Sequence, residues 1–196
     1  MDMPKIVDHS ERKSNIAEAT WRVIIRQGIK GATVRNIAAE AGVSLGALRH
    51  YFSTQQELLE FAMNLVKERV TVRCIDIMQR ELPPREKAFK VLLELLPTDE
   101  DSMAEMEVWL AFTFHLKTLQ ASDTELGDGI HPLAIYLVEY LDENALLKEG
   151  LDKDLEAERL YALLDGLALH ALLEPKRLDR ERIIRVLEGY LESICC

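Results

Sequence analysis

Apolar residues return every three to four positions along most of this 196-residue chain, and they hardly ever alternate. A spacing of three to four turns one face of a helix inward, whereas a spacing of two would do so for a strand. Between Ser10 and Gln27 the positions Ile16, Ala19, Val23 and Ile24 make one such face; Ser10 can cap its start and Gly28 can end it. Thr33 then caps a short helix over Val34 to Ala41, with Ile37, Ala38 and Ala41 turned inward. Gly42 and Val43 form a turn in which glycine is free to take a positive φ. Ser44 caps a second short helix over Leu45 to Phe52, and Thr54 caps a third start, with Glu57 placed for a capping box.

Longer elements follow. Leu58, Phe61, Ala62, Leu65, Val66, Val72 and Ile75 predict a helix from Gln55 to about Arg80, which Pro83-Pro84 closes. Further helices are expected over 85–96, ended by Pro97, and over 103–120, after the cap-rich run "TDEDS". The run "ASDTELGDGIHP" reads as a break, and helices then fit 133–147, 153–173 and 179–194. No repeat and no low-complexity segment interrupts the series. The predicted class is all-α.

Two short helices joined by a tight glycine turn make a helix-turn-helix, a unit in which the first helix braces a second that enters the major groove of DNA. Residues that brace must be small or apolar, as Ala38, Ala41, Val43, Leu48 and Phe52 are. Residues that face a groove must be small or polar, as Gly46, Ala47, Arg49 and His50 are, with Leu45 beside them at the helix start. Arg49 can give two hydrogen bonds to guanine. Thr33, Ser44, His50, Tyr51 and Thr54 can bond phosphate oxygens, the helix starts at Val34 and Gln55 offer backbone N–H groups to anions, and Arg35 joins the expected DNA-binding set.

The run "RQGIKGATVRNIAAEAGVSLGALRHYFSTQQELL" resembles the amino-terminal signature of TetR-family transcriptional regulators. The likeness covers about a quarter of the chain, from Ser14 to Leu59. It rests on Gly28 to Ala38, the Ala-Gly-Val-Ser turn at Ala41 to Ser44, and the His-Tyr-Phe end at His50 to Phe52. The ending "RHYFSTQQELL" is similar to the BetI-like branch. The resemblance implies a three-helix DNA-binding domain over 1–53, followed by a larger helical bundle over 54–196 for ligand binding and dimerisation. It also implies repression of transcription. Phosphate contacts are implied for Thr33, Ser44, His50, Tyr51 and the start of the fourth helix, and groove contacts for Leu45, Gly46, Ala47 and Arg49. Two departures bear on affinity: many members carry lysine at the positions of Leu45 and Gln55, and Arg49 stands where tyrosine is common.

The last two helices suggest self-association. Residues 160–173 are apolar on nearly every side, with Leu163 and Leu167 among small residues such as Gly166 and Ala171, and Ile183, Leu187, Tyr190 and Leu191 form a stripe beyond them. Such a surface needs cover, which a second copy would supply as a four-helix bundle; other helices of the same chain are the alternative. The paired readers would then meet an inverted repeat in double-stranded DNA. Phe61, Met63, Phe89, Met106, Trp109, Phe112, His115, Tyr136 and Tyr140 suit the lining of an adaptable pocket for a small-molecule effector, and suit a plain core equally well.

Charge sharpens this picture. The chain carries a net charge of −10, but residues 1–53 have eight Lys and Arg against five acids, and the remainder has sixteen against twenty-nine. The basic excess therefore coincides with the helix-turn-helix. Five scattered histidines and the lack of any phosphate-loop, H-E-x-x-H or G-x-S-x-G motif argue against an enzyme and call for no cofactor or metal. Three cysteines without C-x-x-C spacing, and the absence of an apolar leader or membrane-length run, point to a reduced cytoplasmic setting without a membrane partner. A DNA-binding protein that needs no ligand, acting architecturally or with a protein partner, shares the same amino-terminal unit and remains the alternative.

Overall fold

The computed structural model describes residues 9–118 and 130–196; the break expected over 121–132 lies largely outside them. The described residues form helices α1 (His9–Gly31), α2 (Val34–Glu40), α3 (Leu45–Tyr51), α4 (Gln55–Gln79), α5 (Pro84–Glu94), α6 (Glu100–Thr118), α7 (Ile130–Glu143), α8 (Lys153–Leu173) and α9 (Arg180–Ile194). The expected all-α class is observed. None of these helices is long and apolar enough to cross a membrane. The chain divides into two compact units, residues 1–69 with 107–122, and residues 70–106 with 123–196. Helices α4 and α6 each run from one unit into the other.

In the first unit, Gly28 breaks α1 at φ 68° and ψ 173°, and one more turn follows before α2. The core combines Ile16, Ala19, Val23 and Ile24 of α1 with Ile37, Ala38, Leu48, Phe52, Leu58 and Ala62, all buried. Trp21 is also buried there, and its indole N–H donates to the Ala62 carbonyl at 2.9 Å, tying α1 to α4. Buried indoles normally find such a partner.

In the second unit, α7 packs on α8, and α5 packs on α7 and α9. The core joins Val91, Leu92, Leu137, Leu141, Leu160, Leu164, Leu187 and Leu191. Arg73 of α4 donates to Glu105 of α6 and to Glu94 of α5, both at 2.7 Å, clamping three helices with one guanidinium. Its hydrogen bonds to Glu105 raise its pKa further. Burial pushes the neighbouring Cys74 thiol up to about 11, which suits a core side chain and not a nucleophile.

Several boundaries differ from the expected ones for local reasons. Helix α6 starts at Glu100 and not 103, because the Asp99 carboxylate accepts the Ser102 N–H at 2.8 Å and so takes the cap position. Helix α7 stops at Glu143 and not 147. Ala145 takes φ 55°, and the chain turns to pair with the end of α9: Lys148 N–H donates to the Ile194 carbonyl at 2.8 Å and Cys196 N–H to the Leu146 carbonyl at 2.9 Å. Helix α8 occupies the expected 153–173, with Asp152 as its cap.

The stripe on α9 is largely covered within the single chain. Ile183, Leu187, Tyr190 and Leu191 are buried inside the chain's own second unit, as are Leu167 and Ala171 of α8. Tyr190 also donates its hydroxyl to the Glu156 carbonyl at 3.0 Å. These six side chains are buried within the single chain, although Leu167 still borders a surface groove; of the proposed interface set, Leu163 and Gly166 keep partial exposure. Leu164 lies at the centre of this core, 1% exposed. Leu164→Ala is therefore expected to destabilise the fold by about 2–5 kcal/mol, read as a lowered midpoint in chemical denaturation.

Candidate nucleic-acid interface

Helix α3 is only seven residues long, so its placement depends on its neighbours. Leu48 and Phe52 are 1% and 2% exposed and fasten one side of it. The Phe52 ring lies 5.3 Å from that of Phe61 on α4, and the Lys13 ammonium sits over both rings. Ser44 caps the start, its hydroxyl oxygen accepting the Ala47 N–H at 3.1 Å. The other side of the helix is bare: Gly46, Ala47, Arg49 and His50 are exposed, and Leu45 is 38% exposed. The turn before it uses Gly42 at φ 65°, which a residue with a Cβ adopts only under strain.

The polar residues expected around α3 fall on the same unit. Thr33, Arg35, Thr54 and Gln55 are exposed, and Tyr51 is half-buried. The Thr33 and Thr54 oxygens accept the N–H groups of Asn36 and Glu57 at 3.2 and 3.0 Å, so these hydroxyls cap helices while their O–H remains able to donate outward. The expected capping box closes one residue early: the Glu57 carboxylate accepts the Ser53 N–H at 2.8 Å and not that of Thr54. Gln55 is committed inward, its amide donating to the Ala32 carbonyl at 2.9 Å. This tether joins the start of α4 to the loop before α2.

Two of the local cations are spoken for. Arg22 donates to Glu40 at 2.7 Å, and Arg26 donates to the other oxygen of the same carboxylate. These bonds from α1 hold the Glu40 carboxyl below its usual range, so the clamp is complete above the ordinary carboxylate pKa and is lost only as pH falls through the lowered value. Asn36 adds a bond to the Gly31 carbonyl at 2.9 Å, completing the brace between α1 and α2. Arg35 and Arg49 carry no ion pair among the described residues. His9, which the pattern of the sequence did not single out, lies against Tyr51 and His50 with ring centroids 4.7 and 5.7 Å apart.

The residues expected to line an effector site divide between the units. In the first, Met63 and Phe112 are core and Phe61 packs on Phe52, while Trp109 lies beneath the Lys67 ammonium and His115 is half-buried. In the second, Phe89 and Met106 pack against the core, and the rings of Tyr136 and Tyr140 stack at 6.1 Å, with Tyr136 exposed. Among the described residues no group of His, Cys, Asp and Glu is placed to hold a metal ion.

The result is a braced short helix with one anchored side and one exposed side, within a chain whose described residues are predominantly helical. The model of bacterial regulatory proteins of the tetR family matches residues 16–62, and that of the BetI-type transcriptional repressor C-terminal domain matches residues 84–195. The chain belongs to the TetR family. Among curated relatives, the HTH-type transcriptional regulator PksA of Bacillus subtilis is 57% identical, over 98% of this chain and 94% of its own. The HTH-type transcriptional regulator BetI of Escherichia coli K12 is 29% identical, over 92% of each. Among solved structures, a transcriptional regulator of Rhodococcus sp. RHA1 superposes with a TM-score of 0.76 at 28% identity, covering 93% of this chain and 95% of that one. A regulator of Saccharomonospora viridis, solved in complex with choline, shares the fold with a TM-score of 0.80 at 22% identity, covering 95% and 99%. As a TetR-family member the chain is a DNA-binding transcriptional regulator.

The inward use of Gln55 gives this TetR-family reader a measurable signature. Gln55→Lys should raise affinity for duplex DNA and steepen its logarithmic salt dependence by about one, while loss of the Ala32 bond lowers stability by about 0.5–1.5 kcal/mol. Binding titrations at several salt concentrations, with a parallel melt, check both.

Proposed function

We propose that this regulator is a repressor that binds an inverted-repeat operator as a homodimer and leaves it when a small-molecule effector binds. In this reading residues 1–53 are the DNA-binding domain, and residues 54–196 form the effector-binding and dimerisation domain. The observation that carries the DNA side is the division of α3 into an anchored apolar side and an exposed side of small and polar residues. Gly46 supports it independently. A Cβ there would meet nothing nearer than the Ser44 hydroxyl at 4.0 Å, so nothing in the chain itself demands a glycine. Glycine inside a helix costs about 0.5–1 kcal/mol, and close approach of the backbone to an external surface accounts for it. Arg49 is the base reader in this arrangement, and Thr33, Ser44, His50, Tyr51 and Thr54 are phosphate contacts.

Support for pairing comes from the outer side of α8 and α9. Ala162, Leu163, Gly166, Leu167, His170 and Val186 line a shallow groove of about 300 Å³, and Leu169 and Leu173 are exposed nearby. In this reading the interface includes this outer side, where Leu163, Gly166 and Leu167 of the expected set lie. A Cβ on Gly166 would meet nothing within 4 Å in the single chain. Gly166→Leu should thus leave the helical signal intact while converting a dimer to monomer in analytical ultracentrifugation. A variant that remains dimeric would remove this side from consideration.

The effector reading rests on kinship with BetI-type repressors and on a ligand complex in a protein of the same fold. An effector works by preferring one of two spacings of the paired readers; a preference of 1–3 kcal/mol shifts operator affinity about 5–150-fold. Selection of oligonucleotides by the purified protein should return an inverted repeat. Arg49→Ala should then relax one or two base positions per half-site at a cost of about 1–3 kcal/mol, with no change in the thermal melt. Selection that returns no inverted repeat would sink the operator reading.

A further inference from the structure

His9 belongs to no motif, yet it is brought against the end of α3. Its ring centroid lies 4.7 Å from that of Tyr51, inclined at 53°, and 5.7 Å from that of His50, inclined at 61°. The His50 and Tyr51 rings are 5.5 Å apart at 75°. The three rings thus close a triangle across two helices, with His9 and His50 exposed and Tyr51 half-buried. Among the described residues, none of their ring nitrogens or the Tyr51 hydroxyl has a hydrogen-bond partner. Tilted and edge-to-face packing holds the rings in place without consuming most of their polar atoms. An imidazole N–H or a phenol O–H is a good donor to a phosphate oxygen, and three donors on rings that brace each other lose little freedom on binding.

We propose that His9, His50 and Tyr51 form one phosphate-binding cluster, in which His9 extends the DNA contact of α3 onto the start of α1. The inference rests on the reading that α3 enters the groove and deepens it, because it adds a backbone contact from an element outside the helix-turn-helix. A backbone contact carries no sequence information. Its loss must therefore weaken operator and unrelated duplex equally.

The test uses the full chain, the selected operator and a scrambled duplex of equal length. His9→Phe keeps a flat ring against Tyr51 and removes both ring nitrogens; His9→Ala removes ring and nitrogens together. His9→Phe is expected to weaken binding of both duplexes by the same factor, about three- to ten-fold, and His9→Ala by at least as much. If His9→Phe binds like the unaltered chain while His9→Ala is weaker, His9 only supports Tyr51 and the proposal is wrong. It is equally wrong if both variants bind normally, or if only the operator loses affinity. Should either variant fail to fold, the ¹⁵N shifts of the His9 ring in the unaltered chain decide: they must move when either duplex is added, and unmoved shifts overturn the contact. An unaltered chain that binds neither duplex refutes the DNA reading itself, an outcome distinct from failure at His9.

Discussion

A seven-residue helix cannot hold its own shape in water, because nucleation costs more than so few hydrogen bonds return. In the proposed reading, base recognition passes through such a helix, α3. Its geometry is therefore borrowed from two anchors, Leu48 and Phe52, each of which contributes about 1.5–3 kcal/mol when fully buried. Phe52 reaches Phe61, so the last residue of the reading element is packed on the first turns of α4. Lys13 lies over both rings, which adds α1 to the same joint. A loose α3 would blur the placement of Arg49, and base recognition with two hydrogen bonds tolerates little blurring.

The same joint shows what was readable from the amino acids and what was not. Caps and glycine breaks are local: Thr33, Ser44 and Thr54 each act within three residues, and each is found doing so. The glycine turn at Gly42 was equally legible, since its φ is set by the absence of a Cβ. Helix ends failed where a distant partner intervened. The end of α7 was surrendered to pairing with residues at the end of α9, and no property of residues 144–147 announces that partner.

Faces were legible, but their neighbours were not. Periodicity reports that Ile183, Leu187, Tyr190 and Leu191 share a side; it is silent on whether the covering surface belongs to this chain or another. In the single chain these four side chains join the core of the second unit. Met63 and Phe112 pose the same problem, because a side chain that fits a cavity wall also fits a core, and both are buried in the single chain. His9 is the opposite case. Its contacts to Tyr51 and His50 cross most of the first unit in sequence and leave no periodic trace.

The net charge of −10 is reconciled with a polyanionic partner by where the cations are and what they already do. Glu40 takes up Arg22 and Arg26, so two charges of the basic segment serve the brace between α1 and α2. Lys13 is held over aromatic rings, and Gln55, where the family resemblance would place a lysine, donates inward to the Ala32 carbonyl. Arg12, Lys30, Arg35 and Arg49 are exposed cations of residues 9–53 without an ion pair among the described residues, and in the proposed reading Arg35 and Arg49 lie at the DNA contact with uncharged donors around them. Affinity for arbitrary DNA scales with the number of phosphates neutralised, so in the proposed reading a surface with few cations would hold non-specific duplex weakly. Discrimination depends on the ratio of specific to non-specific binding, and a low background raises that ratio without any stronger base contact. A sparse set of cations is thus compatible with selective recognition, with hydroxyl, imidazole and amide donors supplying the alignment that added charge would not.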